Sequence, residues 1–298
     1  MWQHLYAPLN WETHRHQWPN HAFSQFVTTR RFRWHVQVMG RGPVVLMLHG
    51  TGASAHTWAG LSALLSQHFT LVCPDLPGHA FTTSHLDEDF SMQGMANALP
   101  ELLSALSLTP QAVIGHSAGA AVGMAYVLAH TTPEACLPLV GLNPAWLPLP
   151  GVAQWLFPPA AKLAAINPLS GWLVAKQANE ARVMQLLEST GSHLTNEQVQ
   201  RYRVLMQSAH HVQGVLRMMS QWHLNHVLQR YAQLNHPVLI QAGTHDRTIS
   251  FSLAETAQQQ LPQCEIARLE GLGHLAHEEN AALSAAQLVP WLSSRMAR

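Results

Sequence analysis

Short apolar runs alternate with longer stretches whose apolar positions recur at helical spacing along the first half of the chain. Phe32–Met39 has strand character and Val44–His49 reads as a strand of the buried type. Phe69–Cys73, Ala112–Gly115 and Leu137–Leu142 continue the series. Between them, Thr57–Gln67, Ser91–Leu106 and Ala118–His130 read as helices, and the turn Asp75-Leu76-Pro77-Gly78 punctuates the order. Strands separated by helices cannot pair as hairpins, so this order predicts an α/β fold with a mostly parallel sheet.

From about Pro144 to Asn235 the pattern changes. Strand-like runs vanish, Pro-rich apolar turns open the segment, and helical periodicity follows through Ala178–Glu188 and Asn196–Leu234. Alternation then resumes with a strand at Pro237–Ala242, a helix at Ser250–Leu261, a strand at Glu265–Leu269 and a last helix at Glu278–Leu292. Residues 1–143 and 236–298 are therefore expected to form one core, interrupted by a helical cap, or lid, over 144–235. The most apolar stretch, Cys136–Ala175, is broken by seven prolines and lacks the run of about 20 apolar residues that a membrane span needs.

Composition sharpens this picture in three ways. Charged residues are 11% of the 298-residue chain and the formal net charge is zero, so the surface gains little colloidal protection. It is either covered by a partner, a second subunit or a membrane face, or carried by Gln, Asn, Ser and His. The 14 arginines and two lysines form no basic run, which argues against nucleic acid. Cys73, Cys136 and Cys264 are odd in number and widely spaced, so neither a disulfide framework nor a zinc site is suggested. Met1–Asn20 has no apolar core of a secretory signal, and a cytoplasmic protein is expected.

The candidate chemistry centres on Gly115-His116-Ser117-Ala118-Gly119, where a strand-like run enters a G-x-S-x-G turn and then a small-residue helix. That setting presents a serine oxygen at a helix N-terminus. A chance G-x-S-x-G at a Gly/Ala-rich helix start is the alternative. A serine hydroxyl needs a base, and the base an orienting acid. Asp246 follows the strand Pro237–Ala242, and His274 follows Glu265–Leu269 in Gly271-Leu272-Gly273-His274. The acid precedes the histidine by 28 residues. Ser117, Asp246 and His274 are thus the expected catalytic set, with His277 and Glu278 close rivals in sequence. The backbone N–H groups of Thr51 and Ala118 are the expected oxyanion donors. A phosphate loop is disfavoured at His49-Gly50-Thr51-Gly52, which lacks both the G-x-G-x-x-G spacing and a lysine.

His49, His116, Trp146, Trp155, Phe157 and His223 are candidate pocket residues, set against the plainer reading of core tryptophans and packing histidines. The His210-His211 pair and His226 have no metal-motif company, so no metal or other cofactor is expected.

On these residues the chain resembles the α/β-hydrolase superfamily over nearly its whole length. One branch is especially similar, the magnesium chelatase accessory proteins of bacteriochlorophyll biosynthesis. The resemblance rests on His49-Gly50-Thr51-Gly52-Ala53-Ser54, on Pro74-Asp75-Leu76-Pro77-Gly78-His79-Ala80-Phe81-Thr82 and on Gly115–Ala121. It extends through Leu156–Leu163 and Thr190-Gly191-Ser192 in the cap. Ala80 stands where the superfamily commonly has glycine. The resemblance implies an eight-stranded sheet flanked by helices, a Ser-His-Asp hydrolase of ester or related acyl bonds, and a role in pigment synthesis near magnesium chelatase. A hydrophobic small-molecule substrate such as a tetrapyrrole ester, and a peripheral contact with the inner membrane, are consistent with it. A porphyrin-binding or chelatase-assisting protein that keeps the triad without hydrolysis is the competing expectation. Oligomeric state is not specified by the sequence.

Overall fold

Val45 and Met47 point to one face of the central sheet and Leu46 and Leu48 to the other, and all four are fully buried. A strand buried on both faces has helices on both sides. In the computed structural model of the protein, which describes residues 7–84, 88–132, 136–148, 164, 167, 169–224 and 228–296, this is how the layers are arranged. The strands are β1 (Ser24–Thr28), β2 (Phe32–Met39), β3 (Val44–Leu48), β4 (Thr70–Pro74), β5 (Thr83–Ser84), β6 (Ala112–His116), β7 (Leu139–Leu142), β8 (Val238–Gly243) and β9 (Cys264–Leu269). Their spatial order is β1-β2-β4-β3-β6-β7-β8-β9, with β5 beside β2. β2 pairs antiparallel with β1, β4 and β5, and every pairing from β4 to β9 is parallel.

The helices of the first half are α1 (Trp11–His14), α2 (Ala59–Leu65), α3 (Met92–Ala105) and α4 (Ala118–His130). One core cluster joins Leu46, Leu48 and Val113 to α3 and α4. The opposite cluster joins Val45, Met47 and Ile114 to Trp58, Leu61, Leu288 and Trp291. Between β7 and β8 the described residues contain no strand but hold α5 (Ser170–Gln177), α6 (Glu180–Ser189), α7 (Asn196–Met206) and α8 (Ala209–Ser220). After β8 come α9 (Phe251–Gln260), α10 (Ala276–Glu279) and α11 (Ala281–Met296).

All seven strands read from the sequence are present within two residues of their expected ends. β1 and α5 were not expected. β1 is an edge strand with no fully buried residue, so the burial that makes a strand legible is missing. The long periodicity over Asn196–Leu234 divides because Ser208 is extended and its hydroxyl accepts from the His211 N–H, starting a new helix. The last helix likewise divides at Asn280, whose backbone is not helical and whose side chain accepts from Leu283 N–H.

Candidate active site

Ser117 ends the β6 turn and caps α4 with φ 50° and ψ −117°. A side chain is held there only by its surroundings, at a cost of about 1–3 kcal/mol. The flanking glycines explain how the chain reaches this conformation. A Cβ on Gly115 would stand 2.3 Å from the Ala120 Cα, and one on Gly119 would stand 2.1 Å from the Leu48 carbonyl oxygen. The Ser117 N–H donates to Leu142 O at 3.0 Å, and its carbonyl accepts from Ala145 N–H at 3.0 Å. The turn is thereby tied to the end of β7.

Asp246, beyond the end of β8, has both oxygens engaged. Oδ1 accepts from the N–H groups of Thr248 at 2.7 Å and Ile249 at 2.8 Å. Oδ2 accepts from Asn143 Nδ2 and from His274 Nδ1, each at 2.7 Å. Because a carboxylate only accepts, His274 carries its proton on Nδ1 and keeps Nε2 free to take one. The histidine loop is anchored in turn: His116 Nε2 donates to His274 O at 3.0 Å, Leu275 N–H donates to Ser192 Oγ at 2.8 Å, and Gly273 N–H to Glu279 Oε1 at 2.8 Å. Ser117 and His274 both face one cavity of about 720 Å³, with Thr51 and Ala118 in the same wall. Ala118 heads α4, where a first-turn N–H has no intrahelical acceptor.

The sequence profile of the alpha/beta hydrolase fold matches residues 43–281. The chain belongs to the α/β-hydrolase family. It is 37% identical over 252 residues to the magnesium-chelatase 30 kDa subunit of Rhodobacter capsulatus, covering 84% of this chain and 87% of that protein. It is 33% identical over 134 residues to the putative carbamate hydrolase RutD of Escherichia coli O157:H7, covering 45% of this chain and 49% of that one. Among solved structures, a putative lipase from Acinetobacter baumannii superposes with a TM-score of 0.77 at 19% identity, over 98% of each chain. An esterase from Thermogutta terrifontis gives 0.72 at 19% identity, over 92% of this chain and 99% of that one. At such identities these two structures speak for the fold alone.

Within this α/β hydrolase the expected pocket residues separate. His116 and His223 line the cavity. His49 does not: it is fully buried, its Nδ1 donates to Gly50 O at 2.8 Å and its Nε2 accepts from Leu76 N–H at 2.8 Å. It locks the loop carrying Thr51 onto the Asp75–Pro77 turn. Trp146 is also fully buried, in the core beside Gly141, and its carbonyl accepts from Tyr231 Oη. Trp155, Phe157, His226 and the 156–163 motif lie outside the described residues. Trp172 packs with Ala175, Ala209 and Val212, away from the cavity.

Several positioning groups were not read from the sequence as functional. Asn143 has φ 44°, and only its place at the end of the strand beside β6 hints at contact with the acid. Thr190-Gly191-Ser192 touches both loops: Thr190 O accepts from Arg247 N–H at 3.0 Å, and Ser192 accepts from Leu275 as above. Gly191 is needed there, since a Cβ would lie 2.0 Å from His245 O. His211 on α8 accepts from Ala80 N–H at 3.0 Å and donates Nε2–H to Gly52 O at 3.2 Å. Ala80 does adopt the left-handed conformation, φ 44°, that glycine more readily takes, so the turn keeps its shape despite the alanine.

A second polar chain lies behind the histidine. Thr57 Oγ1 donates to Glu278 Oε1 at 2.5 Å and contacts His277 Nε2 at 2.8 Å. One hydroxyl has one proton, so His277 Nε2 donates to Thr57. Tyr202 Oη, from α7, donates to the same Glu278 oxygen at 2.6 Å. Burial pushes the Glu278 carboxyl up to about 7, with the bonds from Thr57 and Tyr202 opposing. Burial, with His277 and His274 nearby, holds His116 well below the usual imidazole range, so it is neutral. The rivals His277 and Glu278 thus stand behind the cavity wall, while His274 faces it.

Among the described residues no group of three or more His, Cys, Asp or Glu side chains could hold a metal ion. No helix among them is long and apolar enough to cross a membrane.

Proposed function

We propose that this protein is a serine hydrolase of ester or related acyl bonds. Ser117 Oγ attacks the acyl carbon, His274 Nε2 takes the hydroxyl proton, Asp246 steadies the imidazolium, and the N–H groups of Thr51 and Ala118 hold the oxyanion. His274 then protonates the leaving alkoxide, and water, activated in the same way, releases the acid. The observation that supports this most directly is the 2.7 Å contact between His274 and Asp246 beside a strained Ser117. Residues 144–235 act as the cap over that site. The likeness to a magnesium-chelatase subunit supports a place in tetrapyrrole synthesis beside the chelatase, in bacteriochlorophyll formation, with an apolar tetrapyrrole ester among the substrates to try first. The test is labelling by a fluorophosphonate: native protein labels and Ser117→Ala does not. Failure of native protein to react, while a control esterase does, defeats the mechanism.

The size and apolar walls of the cavity, with the relative's designation as a subunit, also support a second reading, a tetrapyrrole binder that assists the chelatase. Full pigment production in cells carrying Ser117→Ala would favour it.

A further inference from the structure

The described walls of the cavity contain no Lys, Arg, Asp or Glu. Met206, Met218, Met219 and Trp222 form much of the surface supplied by the helical segment, and flexible thioethers adapt to irregular apolar shapes. Two of the titratable lining groups near Ser117 offer no charge either. His116 is neutral at ordinary pH for the reasons given, and burial together with the Glu278 carboxyl holds the Tyr202 hydroxyl well above its usual range, so it too is uncharged. The Asp246 carboxylate beside the site is opposed by three N–H donors and the imidazole, so those N–H groups are spent on it.

We infer that the cavity selects uncharged substrates: esters whose acyl and alcohol parts carry no free carboxylate. This rests on the hydrolase reading and adds the substrate class. A carboxylate carried into these walls would lose its water and gain no cation, and it would sit near Asp246, a like charge. The reaction is RCO–OR′ + H₂O → RCOO⁻ + H⁺ + R′OH, so hydrolysis turns an accepted group into one the cavity rejects. Product leaves for the same reason that substrate enters. A tetrapyrrole would be taken with its carboxyl groups esterified and refused with a second one free.

The test pairs esters of equal length, p-nitrophenyl hexanoate and the mono-p-nitrophenyl ester of adipic acid, above pH 7. The neutral ester is expected to have a kcat/KM larger by about 100-fold or more, from the desolvation of the unpaired carboxylate. Leu186→Arg, at an exposed part of the cavity rim, should narrow that ratio about tenfold by supplying a counter-charge. Calorimetric titration of Ser117→Ala and of His274→Gln with methyl hexanoate and monomethyl adipate reads the preference without turnover. Tighter binding of the neutral ester supports the inference. Equal or reversed preference, in kinetics or in titration, overturns it, and a reversal that vanishes in His223→Gln would assign His223 as a carboxylate-binding group instead. If fluorophosphonate fails to label Ser117 while the titrations still favour the neutral ester, the hydrolase reading falls and the charge selection stands.

Discussion

Asn143 Nδ2 and His274 Nδ1 donate to the same oxygen of Asp246, Oδ2, each at 2.7 Å. Two donors on one oxygen fix the carboxylate plane, and the N–H groups of Thr248 and Ile249 hold the other oxygen. Asn143 is therefore placed to hold the carboxylate against the imidazole, and it is not among the residues that line the cavity.

Asn143→Ala should lower kcat about 10–100-fold with KM within a few-fold, because a hydrogen bond to a charged group contributes about 1.5–3 kcal/mol. Steady-state kinetics on a p-nitrophenyl ester checks this through the split between kcat and KM. A change confined to thermal stability would show that Asn143 serves only the fold.

Ser192 Oγ accepts from Leu275 N–H, next to His274, and lies 3.1 Å from Thr190 Oγ1. Ser192 is fully buried. Ser192→Ala leaves a buried N–H unpaired, which costs about 1–3 kcal/mol, and it loosens the loop that carries the base. Urea unfolding should register that loss of stability. The same variant should lose kcat at temperatures where it remains folded, whereas a loss of stability with full activity would contradict the positioning role.

Much of this was legible in the sequence, and the reasons differ from element to element. Strands such as Val44–Leu48 are apolar on both faces, and the elbow glycines are required by contacts near 2 Å, so both leave marks in local sequence. Asp246 and His274 were legible through chain order. Asn143, Ser192 and His211 were not, because each acts through contacts more than 60 residues away and an Asn, Ser or His in isolation reads as a turn former or a surface group. His49 was misread as a pocket residue for a related reason. Its place in the loop suggested the site, but both ring nitrogens are spent on backbone groups.

His211 and Gly214 form the seam between α8 and the core. His211 bonds to Gly52 O and Ala80 N–H, and a Cβ on Gly214 would stand 1.9 Å from Gly78 O. Gly214→Val must push α8 away and, with it, Met218 and Met219 in the cavity wall. A destabilisation of about 1–3 kcal/mol is expected for such overpacking, with KM rising for bulky esters more than for acetate esters. His211→Leu should leave Gly52 O and Ala80 N–H unpaired and slow acyl transfer through the Thr51 loop. Equal KM for large and small esters in Gly214→Val would separate α8 from substrate binding.

Glu278 gives the molecule a pH dependence whose direction can be worked out. Its ordinary value is 4.5 and burial raises it to about 7 in the fold, so the folded state holds the proton more tightly than the unfolded chain does. The stabilisation from that proton is complete below about 4.5 and is lost as pH rises through about 7. Glu278→Gln keeps an oxygen for Thr57 and Tyr202 but carries no charge. Relative to native protein, its unfolding free energy should improve progressively from pH 4.5 to 7 and then level off. Because Glu278 is partly exposed, the gain at pH 8 should be about 2 kcal/mol rather than the full conversion of the shift. Denaturant midpoints at a series of pH values read this directly, and a difference that does not vary with pH would mean that Glu278 is already ionised in the fold under acid conditions.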